Sequence, residues 1–299
     1  MNELIVPCRV DLIAKTPALP DSYISATLKK DNYKQTYMAK SIFSGKANYA
    51  SLRAWNWSMA VLHFVQGVIM VVISNDSSLP VTTQYLKIDP NNPVFGVAPT
   101  PEVWFNLRLG PTVAIFLFLS AFAHFILAGP GRTWYEANLA KGMNKLRWFE
   151  YMLSSSVMIV VIAMLCGIYD FWMLAMMFAI NAIMNLMGLV MEVHNQTTKK
   201  TSWLSYNIGV FAGAMPWLAI FAAFFAAINS TGVTVPGFVY AIVFTIFATF
   251  NVFAITMVLQ YKKVGSWKNY LYGERTYMIM SLVAKSLLAW QMFSGTLRP

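Results

Sequence analysis

The sequence predicts an all-α membrane protein: a bundle of seven transmembrane helices with a small extracellular β-hairpin in the first outer loop. Three observations lead there. Of 299 residues, 58% are hydrophobic and only 11% are charged, a balance that belongs to polytopic membrane proteins rather than to soluble domains. Seven apolar runs each reach the length of about 20 residues that crosses a hydrocarbon layer. Lysine and arginine are concentrated in alternate connections between those runs, the pattern of cytoplasmic loops.

The runs are 51–74, 109–129, 146–168, 171–193, 205–228, 237–261 and 275–296. Residues 1–48 read as a polar N-terminal tail and 49–299 as the helical domain. The tail has no early apolar stretch ending in a small-residue cleavage site, so it does not read as a signal peptide. No internal repeat stands out, which argues against an inverted-repeat transporter.

Of the 22 Lys and Arg, 18 lie in or beside the tail and in the second, fourth and sixth connections, while Lys87, Arg108 and Arg298 lie on the other side. The N-terminus is therefore expected in the cytoplasm and the C-terminus outside, in the plasma membrane or another cell membrane. This placement accounts for the net charge of +10 without a nucleic-acid partner. In the longest connection, 75–108, the β-prone runs Thr82–Ile88 and Val94–Val97 flank Asp89-Pro-Asn-Asn-Pro93. That arrangement predicts the hairpin, with an irregular loop as the alternative. Asn75-Asp-Ser and Asn229-Ser-Thr are glycosylation sequons on the expected outer side. Cys8 and Cys166 are expected on opposite sides of the membrane, which disfavours an intrachain disulfide.

Ionisable groups inside the spans are few, and each is a functional candidate because charge in hydrocarbon is expensive. Lys285 is the most informative. It sits in Tyr277-Met-Ile-Met-Ser-Leu-Val-Ala-Lys285-Ser-Leu-Leu-Ala-Trp. A lysine amine can form a Schiff base with a carbonyl ligand, and in a seven-helix bundle that points first to retinal. A protonated Schiff base needs a counter-ion. Glu150, in Arg147-Trp-Phe-Glu150-Tyr-Met-Leu-Ser, is the best candidate; the alternative is an interfacial carboxylate beside Arg147. Ser154 stands four residues after Glu150, placed to hydrogen-bond the carboxylate, and Ser281 stands four before Lys285 on its face. Lys285 lies roughly 16 Å into its span at 1.5 Å per residue, whereas Glu150 is one turn into its own. Pairing is therefore expected to need a third helix that begins near residue 139.

His63 and His124 fall at similar depth in the first two spans. They read either as structural histidines or, together, as a proton-accepting pocket; no further ligands are spaced for zinc. Asp170 reads as the cap of the fourth helix and Glu274 as favourable charge at the start of the seventh. Glu192 reads as a solvated helix end or as an entrance to a proton path. Pro216-Trp217 in the fifth span is a kink with packing or one wall of a chromophore pocket. Phe247 and Met158 are candidates for the same wall, with Phe211, Phe244, Phe250 and Trp290 as further aromatics.

These residues resemble a known family, the heliorhodopsins. The resemblance runs over all seven spans. It is strongest in Asn251-Val-Phe-Ala-Ile-Thr-Met-Val-Leu-Gln-Tyr-Lys-Lys-Val-Gly-Ser-Trp-Lys-Asn-Tyr-Leu-Tyr-Gly-Glu-Arg-Thr-Tyr277, running on into Ser281-Leu-Val-Ala-Lys285. Arg147-Trp-Phe-Glu150-Tyr, Leu62-His63 with Gln66, and Leu119-Ser-Ala-Phe-Ala-His124 extend it to the first three spans. The resemblance implies a rhodopsin-like bundle with all-trans retinal on Lys285, Glu150 as counter-ion and Ser281 and Ser154 near the Schiff base. It implies that His63 and His124 belong to a polar pocket on the cytoplasmic side. It also implies an inverted topology and a homodimer that the first outer loop helps to form. The expected function is light sensing, with retinal isomerisation, Schiff-base deprotonation, thermal return and an unknown cytoplasmic signalling partner. This is a receptor rather than an enzyme. A light-gated passive proton channel using Glu192, His63 and His124 is the alternative. A pump is disfavoured because Val160-Val-Ile162 stands where common proton pumps carry a second carboxylate.

Overall fold

The computed structural model describes residues 47–85, 101–230, 232 and 234–297. The tail, the Asp89–Pro93 turn and Cys8 lie outside the described residues. Helix α1 (Tyr49–Ile73) is followed by strands β1 (Ser78–Thr83) and β2 (Glu102–Arg108), then α2 (Leu109–Ala128) and a short α3 (Arg132–Leu139). The chain continues through α4 (Lys145–Leu165), α5 (Phe171–His194), α6 (Leu204–Asn229) and α7 (Gly237–Tyr261). After a 3-10 turn (Gly265–Lys268), α8 (Tyr270–Met292) runs into a π-helical end (Phe293–Leu297).

Local chemistry sets the boundaries. At the start of α1, Asn48 Oδ1 accepts the Ser51 N–H at 2.8 Å and Ser51 Oγ accepts the Asn48 N–H at 3.0 Å, a reciprocal capping box. Gly167, at φ 90°, takes the left-handed conformation that stops α4 cleanly. Three residues later Asp170 Oδ1 accepts the Met173 N–H at 2.9 Å and caps α5. Pro216 interrupts the hydrogen bonding of α6 from inside the helix.

The seven long helices close into a ring. α1 packs on α2, α2 on α4, α4 on α5, α5 on α6, α7 on α8, and α8 back on α1. α6 and α7 meet chiefly through rings: Trp217 and Phe221 each lie 5.1 Å from Phe247, and Phe224 lies 4.9 Å from Tyr240. These edge-on pairs hold two helices whose backbones stay apart. Six of the helices are long and apolar enough to cross a membrane by themselves. The seventh, α8, carries Glu274, Arg275 and Lys285; Glu274 and Lys285 are buried and matched inside the bundle, so the helix does not present them to lipid.

One expectation is met in part and one is corrected. A hairpin is present: Ser78 pairs with Arg108 and Thr83 with Glu102, with a bulge between Val81 and Thr82, while the expected run Val94–Val97 lies outside the described residues. The run Val103-Trp-Phe-Asn-Leu107 supplies the second strand. Its position is anchored on the α4–α5 turn, where the Thr82 N–H donates to the Tyr169 carbonyl at 2.9 Å. The third span also begins at Lys145, not near 139. Residues 132–139 are a separate short helix with a reverse turn after it.

We use "inner end" for the end at which α1, α4, α6 and α8 begin. Towards the other end, Val113, Phe116, Leu117, Ile159, Ile162, Met164, Ile242, Ile246 and Leu288 form one fully buried apolar cluster. The buried carboxylates, histidines, arginine and lysine among the described residues all lie level with Lys285 or nearer the inner end.

Candidate functional site

Lys285 is buried on α8, 15 residues after Tyr270. Its Nζ donates to Ser281 Oγ at 2.7 Å and lies 3.1 Å from Glu150 Oε1. The two charges meet although α4 starts late, for a geometric reason. α4 begins inside the bundle, where Asn144 is itself buried between α5 and α8. Helix side chains also lean towards their own N-termini, so Lys285 reaches back to the level of Glu150. The Nζ stands 5.1 Å from the centre of the Tyr151 ring, a second stabilising contact for a buried cation.

The serine on Glu150 is not the one expected. Ser154 Oγ is buried without a hydrogen-bond partner, and Glu150 Oε1 instead accepts from Ser120 Oγ of α2 at 2.6 Å. A neighbour at i+4 on the same helix shares a face, but a carboxylate on the ring's inner wall also sees the next helix. Ser120 had an available signal, one turn before His124 on the same face. The His124 and His63 rings stack at 5.8 Å and 6°. His124 Nδ1 is paired with Asn56 Oδ1 at 2.7 Å, while neither ring nitrogen of the fully buried His63 has a partner.

A cavity of about 280 Å³ opens beside the pair, near the lower size limit for pockets that enclose a small organic ligand. Lys285 and Ser281 stand in its wall, opposite an apolar lining that includes Met158, Trp217, Phe247 and Phe250. Pro216 is buried but does not line it, and Phe211, Phe244 and Trp290 turn towards the surface. The proline shapes α6, while the residue after it carries the wall. Gly188 is needed on the opposite side: a Cβ there would stand 2.3 Å from the Trp148 ring, which is itself part of the lining. An apolar chamber with one amine in its wall and one carboxylate behind the amine fits a long polyene aldehyde.

A second group of charges lies nearer the inner end. Arg147 is buried and forms ion pairs with both Glu192 of α5 and Glu274 of α8. Glu192 also accepts from the Asn144 N–H at 2.9 Å, Trp148 Nε1 at 2.8 Å and Tyr270 Oη at 3.0 Å. Glu274 accepts from Asn144 Nδ2 at 2.8 Å. The Arg147 guanidinium lies 4.0 Å from the centre of the Tyr277 ring. Glu192 is thus not the solvated helix end that the sequence suggests, and Glu274, read as charge at a helix start, is buried in an ion pair. Arg147, which a charge count assigns to a loop, is the centre of a three-helix knot.

Residues 52–297 match the sequence family described as Heliorhodopsin. The chain belongs to the heliorhodopsin family. No curated protein sequence matches it. Among solved structures it is similar in fold to a light-driven proton pump from Leptosphaeria maculans, with a TM-score of 0.55 and 14% identity over 81% of this chain and 93% of that one. At that identity the likeness speaks for the fold alone. This heliorhodopsin is therefore an integral membrane protein of the rhodopsin fold, in contact with the lipid bilayer, that responds to light through a retinal chromophore.

Proposed function

We propose that this heliorhodopsin is a photosensor in which Lys285 holds all-trans retinal and Glu150 is the counter-ion. The observation that carries the reading is Lys285 in the wall of an apolar cavity with Glu150 behind it, 3.1 Å from its Nζ. Retinal bound there as a protonated Schiff base would supply light absorption and a change of shape. Glu150 balances the positive charge in the dark and is the nearest carboxylate to a proton leaving the Lys285 nitrogen. Ser120 steadies Glu150, and Ser281 steadies the amine. The His63–His124 stack fills the polar space on the inner side of the pair, with His63 free to accept, and Ser154 stands one turn further along the helix of Glu150. Tyr151, Trp217, Phe247 and Met158 exclude water and confine the ligand.

A sensory output rather than ion transport is favoured by the apolar cluster beyond Lys285. A proton released near Glu150 finds buried carboxylates and histidines, among the described residues, only at its own level or towards the inner end. The N-terminus and that end are assigned to the cytoplasm, residues 49–299 to the retinal-binding domain, and residues 1–48 to a tail available to a signalling partner. The homodimer contact is assigned to the first outer loop, where Trp104 and Phe105, with Trp172 nearby, are exposed. The passive proton channel is the second reading, favoured by the buried acids Glu192 and Glu274. Photocurrents recorded in whole cells supplied with retinal, across voltage and pH, separate the two. The expected result is a coloured, photocycling protein with no steady current. A current that reverses with the proton gradient and disappears in Lys285→Ala would establish the channel.

A further inference from the structure

A small cavity of about 20 Å³ lies between the two charged groups. Asn56, His124, Arg147, Glu150, Glu274 and Tyr277 are among the residues that line it. One water needs roughly 10–15 Å³ of such space and two to four polar partners. Both needs are met here, because the cavity wall includes Tyr277 and Arg147, whose Oη and Nε are buried and have no hydrogen-bond partner. Donors and acceptors at this depth are rarely left without one. We propose that one ordered water occupies this cavity and joins Glu150 to Glu274, making Glu274 an inner proton station for the Lys285–Glu150 pair.

The geometry selects Glu274 over Glu192. Glu192 accepts from four donors, Arg147, the Asn144 N–H, Trp148 and Tyr270, and does not line the cavity. Glu274, which accepts from Arg147, Asn144 Nδ2 and Tyr270, faces the cavity. Charge points the same way. One guanidinium faces two carboxylates, so a proton arriving on Glu274 neutralises the excess negative charge of the cluster instead of creating a new buried charge. The transfer conserves protons. Glu150, having taken a proton, gives it to the water while the water gives one to Glu274, and the water ends unchanged; the reverse steps restore the dark state.

The inference rests on the reading of Lys285 and Glu150 as the retinal site, and the test separates the two. Light-minus-dark infrared spectra of the pigment are compared for the wild type, Glu274→Gln and Glu192→Gln, with visible absorption recorded on each sample. The expected wild-type spectrum gains a protonated-carboxyl band that is missing in Glu274→Gln and retained in Glu192→Gln. Pigment that photocycles normally in Glu274→Gln with the band unchanged overturns the station while leaving the retinal site standing. Wild-type protein that binds no retinal overturns both. If Glu274→Gln does not fold, Glu274→Asp decides: a shifted band supports the proposal and an unshifted one refutes it. An experimental structure of the retinal-free protein gives an independent check, with one ordered water expected against Glu274 and Tyr277 and a dry cavity contradicting the bridge.

Discussion

Lys285→Ala protein is expected to show no visible absorption after incubation with retinal, a complete loss rather than a reduction. No other lysine among the described residues is buried or lines the large cavity, so no second amine among them can take over. The substitution also leaves Glu150 buried beside Ser120 without its cation, and stranding one partner of a buried pair costs about 3–5 kcal/mol. A colourless sample could then be an unfolded one. Combining Lys285→Ala with Glu150→Gln removes the stranded charge, since the amide still accepts from Ser120. That double variant is expected to keep its helical circular dichroism and remain colourless. Glu150→Gln alone should stay coloured with its maximum at longer wavelength, because the positive charge is no longer held at the nitrogen. Colour in the double variant, recorded by absorption spectroscopy, would remove Lys285 from the site.

The second large effect is on stability. Arg147→Met is expected to lower stability by about 3–5 kcal/mol, the range for breaking a buried ion pair from one side, because Glu192 and Glu274 would then face each other unneutralised. The loss should appear as a lower melting temperature in detergent and as faster thermal bleaching. Adding Glu192→Gln and Glu274→Gln to Arg147→Met removes the stranded charges, and most of the loss should be recovered, since neutral or apolar replacement of a buried charge cluster is often tolerated. An Arg147→Met protein that melts like the wild type would mean that the three-helix knot carries no stability. The knot joins the start of α4, the end of α5 and the start of α8, so it is also where movement around Lys285 would first reach the inner surface.

Much of this was legible in the sequence, and the reasons are physical. Apolar length fixes spans well, because the hydrocarbon layer demands about 20 residues and tolerates few charges. The long helices accordingly begin and end close to the apolar runs. Lys285 stood out because a lone cation inside an apolar helix has no bland explanation. What the sequence hid was partnership between helices. Arg147 near a helix start, Glu192 near a helix end and Glu274 in a first turn each have an ordinary local reading, and only the fold brings them together. Ser154 was misjudged for a related reason: spacing of i+4 reports a shared face, not the neighbour across the gap. The second strand was harder to see, because Val103–Leu107 runs directly into a long apolar span without a break.

The central claim is that the amine beside Glu150 carries the chromophore. The most direct measurement is to reduce the retinal-loaded protein with borohydride in the light, digest it and locate the retinyl group by peptide mass spectrometry. The account predicts a single labelled peptide carrying the modification on Lys285, and no label in Lys285→Ala. A retinyl group on any other lysine, or a coloured protein that yields none, would contradict it.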